Sequence, residues 1–370
     1  GLNLGDTVMP FSSSVTIARL VPFALLGACS CQDYNINALD WTELEADHGQ
    51  WLSMDVAPDG RLAIAFHDRD MGALGFALGE VIGDRVRWSY EQVDGYPDSD
   101  GLNPGVIGTF GSLVAAPDGT MWASYHADYN GSLKVAKRVG GTWEAELVDA
   151  GSGLNPKAGL WTSIALDADG NPAVAYHDGV KGDLRLARRI DGAWVSETVF
   201  EGEDREITNE DGELETEEAW VGEMARLHIE GNTYTIAYYD RTWGTLRLSE
   251  GFPGSWSHTV VDEDVDTGRW PSIWTDGTDM AIAYQDGAHE DLMIATRSGS
   301  GAFTVQVVED GDFKGADAEI FQRDGAFGIV SFDGKTNDMV LATQADGAWT
   351  TSTIAGETEA VGFHNEVVQD

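Results

Sequence analysis

The chain has 370 residues, 42% of them hydrophobic and 10% aromatic, which is enough apolar material for a packed core and too much for a disordered chain. Against 63 Asp and Glu stand 22 Lys and Arg, a formal charge of -41, so nucleic acid and anionic membrane surfaces are repelled, and cations or neutral ligands are the easier partners. The same acidity suits a salty milieu, where screening relieves self-repulsion.

In chain order, residues 1–8 precede the first methionine and read as translation from upstream of a start at Met9. Residues 9–28 carry Arg19, an apolar run from Leu20 to Leu26 and then small residues, the pattern of a secretory signal. The run is too short to span a bilayer as a helix. Leu26-Gly27-Ala28-Cys29 resembles the lipobox of bacterial lipoproteins. That resemblance implies lipidation of Cys29, membrane contact through the lipid anchor alone, and an outer-membrane or cell-surface location. An ordinary secreted protein, or an apolar segment packed on the fold, is the other reading. Cys29 and Cys31 stand two residues apart, too close for an ordinary disulfide. Residues 29–40 read as a linker and 41–370 as the folded domain.

From there the chain repeats itself. Asp68, Asp128, Asp178, Asp240, Asp286 and Asp333 end equivalent runs of the "AYHD" type, at intervals of 60, 50, 62, 46 and 47 residues. About six residues later come Leu74, Leu133, Leu184, Leu246, Leu292 and Met339; about sixteen later come Trp88, Trp143, Trp194, Trp256, Phe303 and Trp349. Each unit holds four strand-length runs, as in "WTSIALD", "PAVAYHD", "DLRLARR" and "WVSETV", with Asp-Gly or Gly pairs at the hairpin joints. The second run is apolar throughout, so it is covered on both faces. Four-stranded meanders stacked face to face around an axis meet that requirement, which makes the expected fold an all-β propeller.

The pattern Ser-x-Ala-x-Asp-x-x-Gly, Ala-Tyr-x-Asp, Leu-x-x-Ala-x-x-x-x-Gly-x-Trp at Ser163 to Trp194 resembles the tandem repeats of secreted bacterial propeller proteins, often lipoproteins, which read "SLALDxxGxPHIxYYD" followed by "LKYA". The resemblance runs over residues 49–370. It implies the fold and little biochemistry. "DWTELEAD" before the first unit, with Trp41, and "VGFHNEVVQD" after the sixth look like the two ends of a further blade. The expectation is therefore a seven-bladed ring with its last blade incomplete at the C-terminus; a six-bladed ring with two frayed ends is the alternative.

In such a meander the "HD" turns after the second strands lie on the same face as the starts of the first strands. Trp51, Trp161, Trp270 and, less cleanly aligned, Trp220 fall there, together with His67, His126, His177, Tyr239 and Gln285. An aromatic, carboxylate-rich mouth around the axis is the expected ligand site. The aspartates present in every unit are expected to accept N–H groups of their own turns. The histidines occur in three units only, and read as ligand contacts or loop packing, with a metal site or a general base as the sharper options. The acidic stretches "DEDVDTG" and "EDREITNEDGELETEE" have the oxygen density for calcium but not the EF-hand spacing. No other cofactor is expected. No Gly-x-Ser-x-Gly, His-Glu-x-x-His, phosphate-loop or Asp-box motif is present.

Two functions follow. One is a monomeric binding module holding a glycan or protein ligand over its mouth, since aromatic faces suit sugar rings and carboxylates accept hydroxyl donors. The other, by analogy with propeller-type ulvan lyases, is a polysaccharide lyase or hydrolase using His126, His177, Tyr239 and Arg241. Electrostatic repulsion between an acidic protein and a polyanionic substrate favours the first.

Overall fold

Local turn chemistry writes each repeat as a meander. Asp346-Gly347, with φ of 51° and 78°, is a hairpin corner in which both residues are left-handed, matched to the twist of the strands it joins; Asp191-Gly192 and Asp324-Gly325 repeat it. The computed structural model describes residues 48–83, 85–97, 101, 104–209, 211–356 and 364–368. The expected leader, Cys29, the linker and Trp41 lie outside the described residues.

Six four-stranded antiparallel sheets result, each in simple sequential order. Blade 1 is His48–Val56, Leu62–Asp68, Ala73–Ile82 and Arg85–Asp94; blade 2 is Ile107–Ala115, Met121–Ala127, Ser132–Val139 and Thr142–Asp149. Blade 3 is Ala158–Leu166, Pro172–Asp178, Asp183–Ile190 and Ala193–Phe200; blade 4 is Val221–Glu230, Thr233–Asp240, Thr245–Phe252 and Ser255–Asp262. Blade 5 is Thr267–Thr275, Asp279–Asp286, Asp291–Ser298 and Thr304–Glu309, and blade 6 is Ala316–Arg323, Ala326–Asp333, Asp338–Ala345 and Ala348–Ala355. Between blades 3 and 4 the acidic connection forms a two-stranded hairpin, Arg205–Thr208 with Leu214–Glu217.

The core lies between the blades. The second strands of blades 1, 2 and 3 are buried at every position, and each apolar cluster joins neighbouring sheets, as where Leu74 and Phe76 of blade 1 meet Leu113 and Tyr125 of blade 2. Polar ties repeat on the same interfaces. A serine in one first strand accepts the backbone N–H of the next first strand: Ser53 from Leu113, Ser112 from Ile164, Ser163 from Leu227 and Ser272 from Ile320. At the rim, the indole N–H of Trp143, Trp194 and Trp256 donates to Glu91, Glu146 and Glu197 of the preceding blade at 2.9 Å, which accounts for the tryptophan in those three units; Phe303 has no N–H to donate and serves by packing.

The propeller is thus six-bladed among the described residues, the alternative rather than the seven-bladed reading. Residues 364–368 pair with no strand. They stand instead between the first strands of blades 6 and 1: Asn365 donates its N–H to Asp317 and its side-chain amide to the Asp317 carbonyl, and Val368 packs on the outer apolar cluster of blade 1.

Candidate functional site

Each first strand slips register against its second strand near its start. Such a bulge turns a side chain out of the sheet's alternation, and here it does so through a non-glycine residue in the left-handed region. Trp51, Phe110, Trp161, Met224, Trp270 and Asp317 have φ between 47° and 55°, and His364 follows at 62°. That conformation is uncommon for bulky side chains and is sustained only where the surroundings enforce it. All seven residues line one axial funnel enclosing about 620 Å³ of open space, part of it solvent.

The funnel is aromatic on one side and charged on the other. Trp51 and Phe110 lie 4.1 Å apart between centroids, Phe110 and Trp161 4.6 Å, Trp51 and Trp161 5.4 Å, and His364 completes the run 5.2 Å from Trp51. Opposite them Arg226 is ion-paired with Glu319 and lies 3.7 Å from Glu366. Glu319 also accepts the Ser272 hydroxyl. Burial raises the carboxyl of Asp317 above the usual range and lifts Glu366 to about 7, so this wall carries less negative charge than its composition implies.

Of the expected site residues, the structure brings Trp51, Trp161 and Trp270 together at the axis. Trp220 sits four positions before the axial Met224. It stacks on His177 at 4.7 Å, donates its indole N–H to Glu223 at 2.6 Å and lies under Arg241 at 5.6 Å. The histidines occupy blade junctions. Nδ1 of His67 meets the Ile107 carbonyl at 3.0 Å, that of His126 the Ala158 carbonyl at 2.7 Å and that of His177 the Val221 carbonyl at 2.8 Å. Because a carbonyl only accepts, each ring donates from Nδ1. Gln285 makes the same reach to the Lys314 carbonyl at 2.7 Å, and Tyr239 donates to Asp266 at 2.6 Å. Burial lowers the pKa of all three histidines, His177 to about 4.

His126, His177 and Tyr239 are therefore engaged at three successive junctions, 2/3, 3/4 and 4/5, with Arg241 beside the second. The aspartates behave as expected of turn residues: Asp178, Asp286 and Asp333 each accept two backbone N–H groups from the turn that follows. Asp128 differs, taking the Thr109 hydroxyl at 2.9 Å. In the acidic stretch 262–266 two of the carboxylates are engaged, Asp262 by Tyr284 and Asp266 by Tyr239 and Arg269. Among the described residues no group of three His, Cys, Asp or Glu is arranged to hold a metal ion.

Phe110, Met224, Arg226, Asp317 and His364 were not singled out from sequence. For three of them a signal is present: Trp51, Trp161 and Trp270 stand 16 or 17 residues before Asp68, Asp178 and Asp286, and counting 16 to 18 residues back from Asp128, Asp240 and Asp333 lands on Phe110, Met224 and Asp317.

No protein-family model matches the chain, and no curated protein matches it. Among solved structures, it is similar to a protein of unknown function from Dyadobacter fermentans, with a TM-score of 0.50 and 11% identity over 82% of this chain and 93% of that one. It is also similar to a fungal lectin of Aleuria aurantia described as a six-bladed β-propeller, at a TM-score of 0.49 and 13% identity over 87% and 96% of the two chains. The SapL1 lectin, solved with α-methyl fucoside, follows at a TM-score of 0.48 and 11% identity over 84% and 97%. At such identities the likeness is one of fold.

Proposed function

We propose that the protein is a glycan-binding propeller module whose ligand sits over the axial funnel on the face of the "HD" turns. One observation carries this reading: a set of half-exposed aromatic rings held in a sparsely populated backbone conformation and aimed at a common opening. Strain of order 1 kcal/mol per residue is sustained here by the half-buried surroundings and is the kind of cost that clusters at ligand sites. Sugar rings present apolar C–H faces that suit Trp51, Phe110 and Trp161, while Glu366 and Asp317 accept hydroxyl donors and Arg226 donates. The charge of -41 favours a neutral glycan over a polyanion. The leader read in residues 9–28 would deliver the module out of the cytoplasm, and lipidation at Cys29 would hold it at a membrane surface.

Binding to a panel of neutral oligosaccharides tests the reading. Trp161→Ala is expected to weaken the bound member at least tenfold, about 1.4 kcal/mol, with the fold intact by circular dichroism. No binding to any panel member, or binding untouched by Trp161→Ala, overturns it.

A further inference from the structure

Phe110 belongs to two cavities. Its ring closes the axial funnel and also walls a second, lateral pocket at the junction of blades 2 and 3, lined besides by His126, Asp128, Tyr129, Leu154 and Lys157. In the other axial places that carry an aromatic from the strand bulge, the residue is Trp51, Trp161 or Trp270; phenylalanine is the slimmer wall beside Trp51 and Trp161, and it stands where the two spaces meet.

The lateral pocket is built firmly. The Gly131 carbonyl accepts the Ala158 N–H at 2.9 Å, and a side chain on Gly131 would collide with the Pro156 carbonyl, so the turn after blade 2's second strand is locked to the entry of blade 3. Tyr129 makes a long hydrogen bond from its N–H to the Val106 carbonyl at 3.4 Å, and 50% of it is exposed. Leu154 is 100% exposed. Two apolar side chains presented to water on one rim mark a contact surface more strongly than either alone. The polar groups are few and balanced. The Asp128 carboxylate is fixed by Thr109 at 2.9 Å and faces His126 Nε2 at 3.5 Å, and Lys157 supplies one cation.

Resting on the glycan-binding reading, we propose that the axial funnel and the lateral pocket form one groove running past Phe110 that takes an uncharged oligosaccharide of at least two sugar residues. One ring lies on the axial indoles and a following ring lies against Tyr129 and Leu154, with Asp128 accepting and Lys157 donating hydroxyl hydrogen bonds. The balance of one carboxylate and one ammonium suits a neutral ligand, in keeping with the charge of the whole.

The test measures affinity for neutral glucan, mannan and xylan oligosaccharides of one to six residues, on the wild-type protein, on Tyr129→Ala/Leu154→Ser and on Trp161→Ala. The double variant alters only surface side chains and is expected to fold. In the wild type, affinity for the recognised series should rise at least tenfold from the monosaccharide to the longer members. In the double variant that rise should vanish while monosaccharide binding persists; Trp161→Ala should weaken every member. A series that is flat in the wild type but sensitive to Trp161→Ala, or a rise retained by the double variant, overturns the extended groove and leaves the axial site standing. Absence of any binding by the wild type overturns both.

Discussion

His177 shows how one side chain ties two blades. Fully buried, with its Nδ1–H on the Val221 carbonyl, it is held neutral because protonation in that place would put a charge where water cannot reach it. Its folded pKa near 4 lies below the ordinary 6.5, so between those values the unfolded chain binds the extra proton. The contribution is complete above about pH 6.5 and is lost as pH falls toward 4, a difference of about 3 kcal/mol. Glu366, lifted to about 7 by burial, and Asp183, to about 6, act in the opposite sense, favouring the folded state at low pH and losing that advantage as pH rises through those values. A comparison of variants isolates the histidine. His177→Gln keeps a donor for the carbonyl, as Gln285 does at its own junction, and is expected to flatten the fall of Tm between pH 6.5 and 4; an unchanged acid slope would show that the imidazole is not the titrating group.

Among the elements, the fourth strands tie the outside of the ring as the bulged first strands shape its centre. Trp194 donates to Glu146 while Arg189 pairs with the same carboxylate at 3.0 Å, so one Glu joins blade 2 to two residues of blade 3. Trp194→Phe keeps most of the apolar area and removes the N–H donor. It is expected to cost about 1 kcal/mol in chemical denaturation, against about 3 kcal/mol or more for Trp194→Ala, which also removes the ring. Equal losses for the two variants would mean that the indole N–H contributes nothing. The first strands trade regular pairing for a left-handed residue, and what the bulge achieves is direction: Trp51, Trp161 and Trp270 point at the axis instead of into a blade interface.

Over the whole molecule, charge and ring closure matter together. A net charge of -41 repels itself more in the folded state than in the expanded one, and added salt screens that repulsion over a Debye length of about 10 Å at 0.1 M and about 3 Å at 1 M. Tm is therefore expected to rise by several degrees between about 0.05 M and about 1 M NaCl; a flat or falling Tm would show that local ion pairs such as Arg297–Glu250 outweigh the global field. The ring's sixth-to-first junction is bridged by 364–368, whose Asn365 holds Asp317 and whose Val368 covers blade 1.

The sequence by itself determined the repeat, the four strands per unit, the Asp-Gly corners, the fully buried second strands and the turn role of aspartates such as Asp178 and Asp286. These depend on contacts within one unit or on a period of about fifty residues, and both are written in order along the chain. Only the tertiary structure decided that six four-stranded sheets form among the described residues, that His67, His126 and His177 reach carbonyls of the next blade, and that Arg226 and His364 join the axial residues while Trp220 stands off the axis. The physical reason is the bulge. One extra residue in a strand reverses the inward and outward alternation that sequence reading relies on, and its location is fixed by packing against a neighbouring blade rather than by the residues that carry it.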